Sequence, residues 1–418
     1  MTILDKVTLC DCARNTGHLL SMIKDPCDMS IVFDYFLENS NDYIVDVDFN
    51  IIMRVDDGFI PIEYTVHPDI DLTNLVCSNN MVKKMACGNQ HVMIIKLDDT
   101  LWSSGWNIYG QLGLGDENDR SIFTDTGVLA KGVSCGYYHS MIIKLDDTLW
   151  VTGRNYNGQL GLGDTIDRNV FTNTGILAKS ASCGYIYSVI IKDSGVVWST
   201  GSNNKGQLGL GDTTDRDVFT DTGISAKYVS CRNLHTLIIK LDDTLWSSGW
   251  NDKGQLGLGD TTNRNIFTNT GHLAKSASCG YSHSMIIKLD DTLWGCGHNS
   301  KGQLGTGDST DRSTFTDTGI SAKSVSCGYL HTMIIKDDDS SWVVGRNDYG
   351  QLGLGDGNDR SIFTDTGILA KHVSSNHNHS VVIKLDNSVW SSGNNNKGQL
   401  GLGDVYDRNA FTDTGITI

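Results

Sequence analysis

Proline is nearly absent from this chain. Three occur in 418 residues, Pro26, Pro61 and Pro68, and none follows Pro68. Long apolar runs are also missing: nothing approaches the roughly 20 residues that a helix needs to span a bilayer, so no membrane-spanning helix is expected. The start, Met1-Thr2-Ile3-Leu4-Asp5-Lys6, lacks the basic flank and apolar core of a secretory signal, which predicts a soluble, intracellular protein. Basic clusters are lacking too. The formal net charge is −16, and residues 1–82 hold 14 acidic residues against 4 basic ones, so about −10 of the total lies there. Proteins that bind DNA or RNA need Lys and Arg clusters to neutralise phosphates, and direct nucleic-acid binding is therefore not expected.

What the chain has instead is repetition. Gly110-Gln111-Leu112-Gly113-Leu114-Gly115-Asp116 recurs at Gly158, Gly206, Gly254, Gly302, Gly350 and Gly398, always 48 residues apart, with Thr306 as the one departure inside the phrase. A strict period of this length marks a repeat architecture. Seven units fill residues 83–418 as 83–130, 131–178, 179–226, 227–274, 275–322, 323–370 and 371–418, and residues 1–82 form a separate acidic docking or assembly segment.

That segment is compositionally distinct. Tyr43 to Val55 is strand-like, and Asp57-Gly58 before Phe59-Ile60-Pro61-Ile62 is a hairpin signal, because glycine accepts the positive φ of a tight turn. Cys10, Cys12, His18 and Cys27 match none of the paired spacings that identify zinc sites, so ordinary thiols are expected there. Among the 11 cysteines, Cys87, Cys135, Cys183, Cys231, Cys279 and Cys327 occupy one repeat position, with Ser375 in the seventh. Equivalent positions in stacked units lie too far apart for disulfides. They read as small buried thiols in a reducing compartment.

Each unit reads as short strands separated by turns. In the second, Lys131 to Gly136, His139 to Lys144, Leu149 to Gly153 and Val170 to Ile176 are the candidates, with Asp146-Asp147 as a turn. Three or four strands per unit is the size of one propeller blade. The series from Trp102 to Trp390 and from Phe123 to Phe411 each recur seven times and are expected to pack blade against blade. An open solenoid is the structural alternative, but the first and last units keep nearly all recurrent residues, which favours a closed ring.

The pattern Gly-x-x-His, Leu-Trp, then Gly-x-Asn-x-x-Gly-Gln-Leu-Gly-Leu-Gly-Asp with Asp-Arg beyond it resembles the repeat of the regulator of chromosome condensation family, over all of residues 83–418. The resemblance implies an all-β fold, a seven-bladed β-propeller of four-stranded blades. The family commonly has proline three residues after the repeat arginine, where this chain has Phe123, Phe171 and their counterparts. The founding member is an exchange factor for a small GTPase and binds histones, using a protruding β-wedge. Strict 48-residue spacing leaves no room for such an insertion, so the chain reads as a divergent member.

His91, His139, His235, His283, His331 and His379 recur, with Tyr187 in the remaining place. A metal-binding ring is one reading. A structural role, in which each imidazole satisfies a backbone group, is preferred. Acidic pairs such as Asp98-Asp99 diverge on turns and do not form convergent catalytic carboxylates. Asp116 and Arg120, with their counterparts, are expected to pin the loop after the glycines.

No catalytic residue, metal or cofactor is expected. Function should lie where the copies differ. The position after the third-strand glycine reads Trp106, Arg154, Ser202, Trp250, His298, Arg346 and Asn394, and Tyr109, Tyr349 and Tyr138 vary nearby. Trp, Tyr and Arg dominate interface hot spots, so Trp106, Trp250, Arg154, Arg346, Tyr109, Tyr138 and Tyr349 form the candidate partner-binding set. The expected function is a non-catalytic protein-binding or scaffold propeller. A self-assembling component of a coat, fibre or shell, as in a virion, is the alternative, and nucleotide exchange rests on family analogy alone.

Overall fold

The computed structural model describes residues 43–45, 51–55, 58–62 and 82–416, in two units, Met1–Ser78 and Asn79–Ile418. In the first unit Tyr43–Val45, Ile51–Val55 and Gly58–Ile62 form an antiparallel sheet in that order. The stretch read as one strand from Tyr43 is thus two, which pair with each other through Ile44 and Ile52. The hairpin is present, with Gly58 already in the strand opposite Val55. Cys10, Cys12, His18 and Cys27 lie outside the described residues.

The second unit is all β, a seven-bladed propeller. Its first blade comprises Val82–Cys87, His91–Lys96, Thr100–Gly105 and Arg120–Leu129, paired antiparallel in sequence order. The second comprises Gly132–Cys135, His139–Ile143, Thr148–Gly153 and Arg168–Leu177. The later blades repeat this plan. One continuous strand, Arg360–Ser375, serves as the outer strand of blade 6 and the inner strand of blade 7.

The pattern of residues explains the layers. Second strands are buried on both faces, as in His139-Ser140-Met141-Ile142-Ile143, because each sheet is covered by a neighbour on either side. Outer strands alternate exposed and half-buried residues around one buried phenylalanine. Each apolar cluster spans two blades: Met93, Ile95 and Leu101 of blade 1 pack with Cys135, Ile142 and Phe171 of blade 2. The tryptophan series packs against these inter-blade clusters, as expected, but each ring is only partly buried. Trp102 is half-buried, its Nε1 donates to Thr100 Oγ1 at 3.1 Å, and Lys96 Nζ sits 3.6 Å from the ring. A lysine caps the corresponding ring in every blade, which lets an amphipathic indole close the blade surface.

The glycine phrase is the joint between blades. Gly113 has φ +70, and a Cβ there would lie 2.4 Å from the ring of Phe171 in the next blade. Leu112 is fully buried, Leu114 bridges Val170, and Gly115 N donates to Asn169 O at 2.9 Å. The ring closes through the same contacts. Leu402 of blade 7 bridges Ile122 of blade 1, Gly403 N donates to Ser121 O at 2.8 Å, and Cys87 N donates to Ser374 Oγ at 3.1 Å. Each blade is built from consecutive strands, so closure needs no strand exchanged between the ends.

Candidate functional site

The two ends of the propeller differ in chemistry. At one end lie the Asp-Asp turns. Asp98 Oδ1 accepts from Thr100 N and Oγ1, Asp99 adopts φ +64, and Lys83 pairs with Asp99 at 2.9 Å. Lys131 and Asp147 repeat that pair at 2.5 Å. These acidic pairs build turns and surface ion pairs.

The other end carries the turns after the inner strands and the long loops before the outer ones. Asn107 fixes each such loop from within: its Nδ2 donates to Asp116 O at 2.9 Å, and its Oδ1 accepts from Leu112 N at 2.9 Å. Arg120 Nη2 then holds Asp116 Oδ2 at 2.6 Å, and all seven blades repeat the pair. The guanidinium holds the Asp116 carboxyl below the usual carboxylate range. The pinning expected of Asp116 and Arg120 is therefore present.

Within each blade the variable positions meet. Trp106 N donates to Gln90 O at 2.7 Å, Arg154 N to Tyr138 O at 2.9 Å, Trp250 N to Leu234 O at 2.8 Å and Arg346 N to Leu330 O at 2.8 Å. Four of the seven candidate side chains then gather across blades 1 and 2. The ring of Tyr138 lies 5.3 Å from Trp106 and 5.1 Å from Tyr109, and the Arg154 guanidinium sits 5.0 Å from Tyr109 and 5.4 Å from Tyr138. Lys397 of blade 7 approaches Trp106 at 5.4 Å and pairs with Asp119 at 3.3 Å. Trp106, Tyr109, Tyr138 and Arg154 are half-buried, whereas Tyr156 beside them is 71% exposed.

The other three candidates stand apart. Arg346 pairs with Asp348 at 2.5 Å and lies 5.4 Å from Tyr349. Trp250 meets Tyr281 at 6.2 Å.

Sequence reasoning missed the residues that join these places. Tyr137 contacts Tyr138 at 4.3 Å and Tyr185 at 4.4 Å, Tyr281 contacts Tyr329 at 4.2 Å, and Tyr329 contacts His377 at 4.7 Å. They form an aromatic collar around the channel mouth. Burial pushes the phenols of Tyr137, Tyr138 and Tyr281 up, so they stay neutral donors. The signal in the sequence is the tyrosine that follows Cys-Gly in four blades, Tyr137, Tyr185, Tyr281 and Tyr329.

The histidines do not converge on the axis. His91 Nε2 lies 2.9 Å from Ser140 Oγ in the next blade, and Ser140 Oγ donates to Gln111 O at 2.9 Å. The hydroxyl proton being spent, Nε2–H must be the donor. His139, His235, His283 and His331 make the same bond, and Tyr187 replaces it with Thr236. The imidazoles are structural ties. The recurrent cysteines are buried and free, and Cys183 Sγ donates to Ser134 O at 3.3 Å.

Repeat-family comparisons agree with this geometry. Two models of the regulator of chromosome condensation (RCC1) repeat match the chain, one at residues 82–111, 130–159, 274–303, 322–351 and 370–399, the other at 98–143, 194–239, 242–287 and 290–335. Together they cover more than half of it. The chain belongs to the RCC1 repeat family. No curated protein sequence matches it. Among solved structures, human WBSCR16 is similar with 20% identity and a TM-score of 0.66, over 79% of this chain and 92% of that one. Yeast RCC1 (Prp20) bound to Kap60 is similar with 16% identity and a TM-score of 0.67, over 84% and 91%. Prp20p from Saccharomyces cerevisiae, studied for binding to Gsp1p and histones, gives 17% and 0.67, over 80% and 87%. At such identities the likeness shows the fold. Among the described residues no helix is long and apolar enough to cross a membrane.

Proposed function

We propose that this RCC1-repeat propeller is a protein-binding module that docks a partner on the end carrying the long loops, over blades 1 and 2. One observation supports this most: Trp106, Tyr109, Tyr138 and Arg154, drawn from variable positions of two blades, form one contiguous patch on loops held rigid from beneath. Rigid aromatic and arginine side chains lose little entropy on docking, which is why they anchor interfaces. The related Prp20 is found bound to Kap60, so a propeller of this kind is compatible with a protein ligand.

The test is capture of partners by the full chain, comparing the native protein with Trp106→Ala plus Arg154→Ala and, separately, with Trp250→Ala. Loss of a specific partner by about 2 kcal/mol or more in the first variant is expected, with Trp250→Ala little changed because it lies outside the patch. An unchanged partner set in the double variant refutes the site.

A scaffold that assembles with itself is the second reading, and the rim favours it. Ile122, Ile266 and Ile362 on the outer strands are 58%, 55% and 64% exposed, apolar side chains on the rim that a second copy could cover. Light scattering across a concentration series decides: a monomer at all concentrations removes this reading.

A further inference from the structure

Arg232 stands where the repeat has glycine. Five other blades place glycine after the recurrent residue, and at Gly88 a Cβ would fall 2.0 Å from the ring of His91. Blade 4 avoids that collision by a different turn. Its inner strand, Tyr228–Arg232, runs one residue further, Arg232 pairs with His235, and Asn233 takes φ +45. The local backbone is thus rebuilt around a single arginine.

Its side chain crosses the axis. Nη1 donates to the carbonyl of Cys327 in blade 6, and Nη2 donates to that of Ser375 in blade 7 at 2.9 Å. The guanidinium separates two spaces. On one side is a cavity of about 190 Å³ walled by the inner strands, and on the other a mouth of about 30 Å³ inside the tyrosine collar. Among the described residues, no Asp or Glu lines either space. Burial lowers the Arg232 pKa to about 10, so the group is still a cation at neutral pH. A cation among protein groups without a counter-charge is costly, and two carbonyl dipoles offset only part of that cost.

We propose that the channel mouth is a carboxylate-binding site with Arg232 as its floor. Two of the five guanidinium N–H groups are used by the carbonyls, which leaves three in a planar fork matched to a carboxylate. A mouth of about 30 Å³ walled by tyrosine rings favours a small, flat anion, and a carboxylate presents the two coplanar oxygens that a guanidinium fork pairs with. The rings of Tyr137, Tyr185, Tyr281 and Tyr329 wall it. They shield the bound group from water, which strengthens the ion pair, and their hydroxyls can donate to the same anion. The carboxylate comes either as a free small acid or as the C-terminus of a peptide. This inference does not depend on docking at Trp106.

Formate binding to the full chain tests it, read by calorimetry and by thermal unfolding at constant ionic strength set with chloride. Two peptides of the same sequence, one with a free C-terminal carboxylate and one amidated, distinguish a peptide-borne group from a free acid. The native protein should bind formate saturably, and Arg232→Gly should bind it at least about tenfold more weakly. That variant installs the residue found in five other blades. Arg232→Lys, which keeps the charge and loses the fork, should fall between the two and serves if the glycine variant is unstable. Preference for the free-terminus peptide over the amidated one supports the peptide source, and formate binding with no such preference supports the free acid. Equal formate binding by native protein and both variants, no binding beyond chloride, or stabilisation by phosphate without formate overturns the proposal.

Discussion

Replacing Val92 with threonine should stabilise the protein, although placing a hydroxyl in an apolar core usually does the reverse. At six of the seven blade joints a buried histidine or Tyr187 reaches a hydroxyl in the following blade. At the seventh, between blades 7 and 1, the hydroxyl position is Val92, fully buried. His379 there has both ring nitrogens buried without a partner. Its neutral imidazole must carry one N–H, so a buried donor goes unmet at the seam that closes the ring. Threonine offers Oγ1 to that donor, and its own proton can go to Gln399 O, the counterpart of the acceptor that Ser140 uses. A buried bond contributes about 1 kcal/mol net, and relieving an unmet donor adds up to about 1–3 kcal/mol. The apolar loss from Val to Thr subtracts part of this, which leaves a gain of roughly 1–2 kcal/mol. Val189, also fully buried, packs within an apolar cluster and supplies the control: Val189→Thr should lose about 1–3 kcal/mol. Equilibrium urea unfolding at pH 7.5 measures both. If Val92→Thr destabilises as much as Val189→Thr, the assignment of the seam is wrong.

Acid should unfold the propeller early. Burial lowers the pKa of His91, His139, His235, His283 and His379 to about 3, and that of His331 well below its ordinary value. The folded state keeps these rings neutral while the unfolded chain takes up protons below about pH 6.5. Stability is therefore full above pH 6.5 and falls as the pH drops toward 3, by roughly 1.4 kcal/mol per histidine at pH 5.5. With His377, lowered to about 4 by burial, the slope of unfolding free energy near pH 5 should correspond to at least about seven protons, and to about one fewer in His139→Gln. A slope of one proton or none would falsify the buried-neutral assignment. Among glycines, Gly113→Ala should cost roughly 3 kcal/mol or more, since it adds collision with Phe171 to a positive φ. Gly127→Ala, with φ +70 and open space around it, should cost only about 1 kcal/mol; equal losses in urea unfolding would refute the collision.

The fold was legible because its constraints repeat. Seven copies of the glycine phrase, seven phenylalanines and the Asp116–Arg120 pair each occupy one place in one joint, so a single unit read correctly yields the ring. Strand limits in blade 2 came out within two residues for the same reason. Less was legible where the partner of a residue is set by tertiary placement. Trp102 packs against the core as its recurrence suggests, but a lysine six residues earlier caps it, a contact made across a hairpin. Variable positions pointed to Trp106, Tyr109, Tyr138 and Arg154, and the structure gathers these four. It leaves Trp250 and the Arg346–Tyr349 pair elsewhere, since variability carries no information about which blades adjoin.

Recurrence itself has to be weighed by distance from the axis. A residue repeated on an outer loop, such as Asp116, acts once per blade, and its seven copies never meet. A residue repeated at the end of an inner strand is brought to the axis with its counterparts. Tyr137 and Tyr185 come within 4.4 Å, as Tyr281 and Tyr329 come within 4.2 Å, and the copies become one collar. The tyrosine after Cys-Gly is thus both framework and site, and the rule that repeated residues are merely structural fails at the centre of a ring. Arg232 shows the complementary point. One departure at an axial position sits among all seven blades, bonding blades 6 and 7 from blade 4, whereas a departure on the rim, such as Thr306 in place of the recurrent leucine of the glycine phrase, alters one joint.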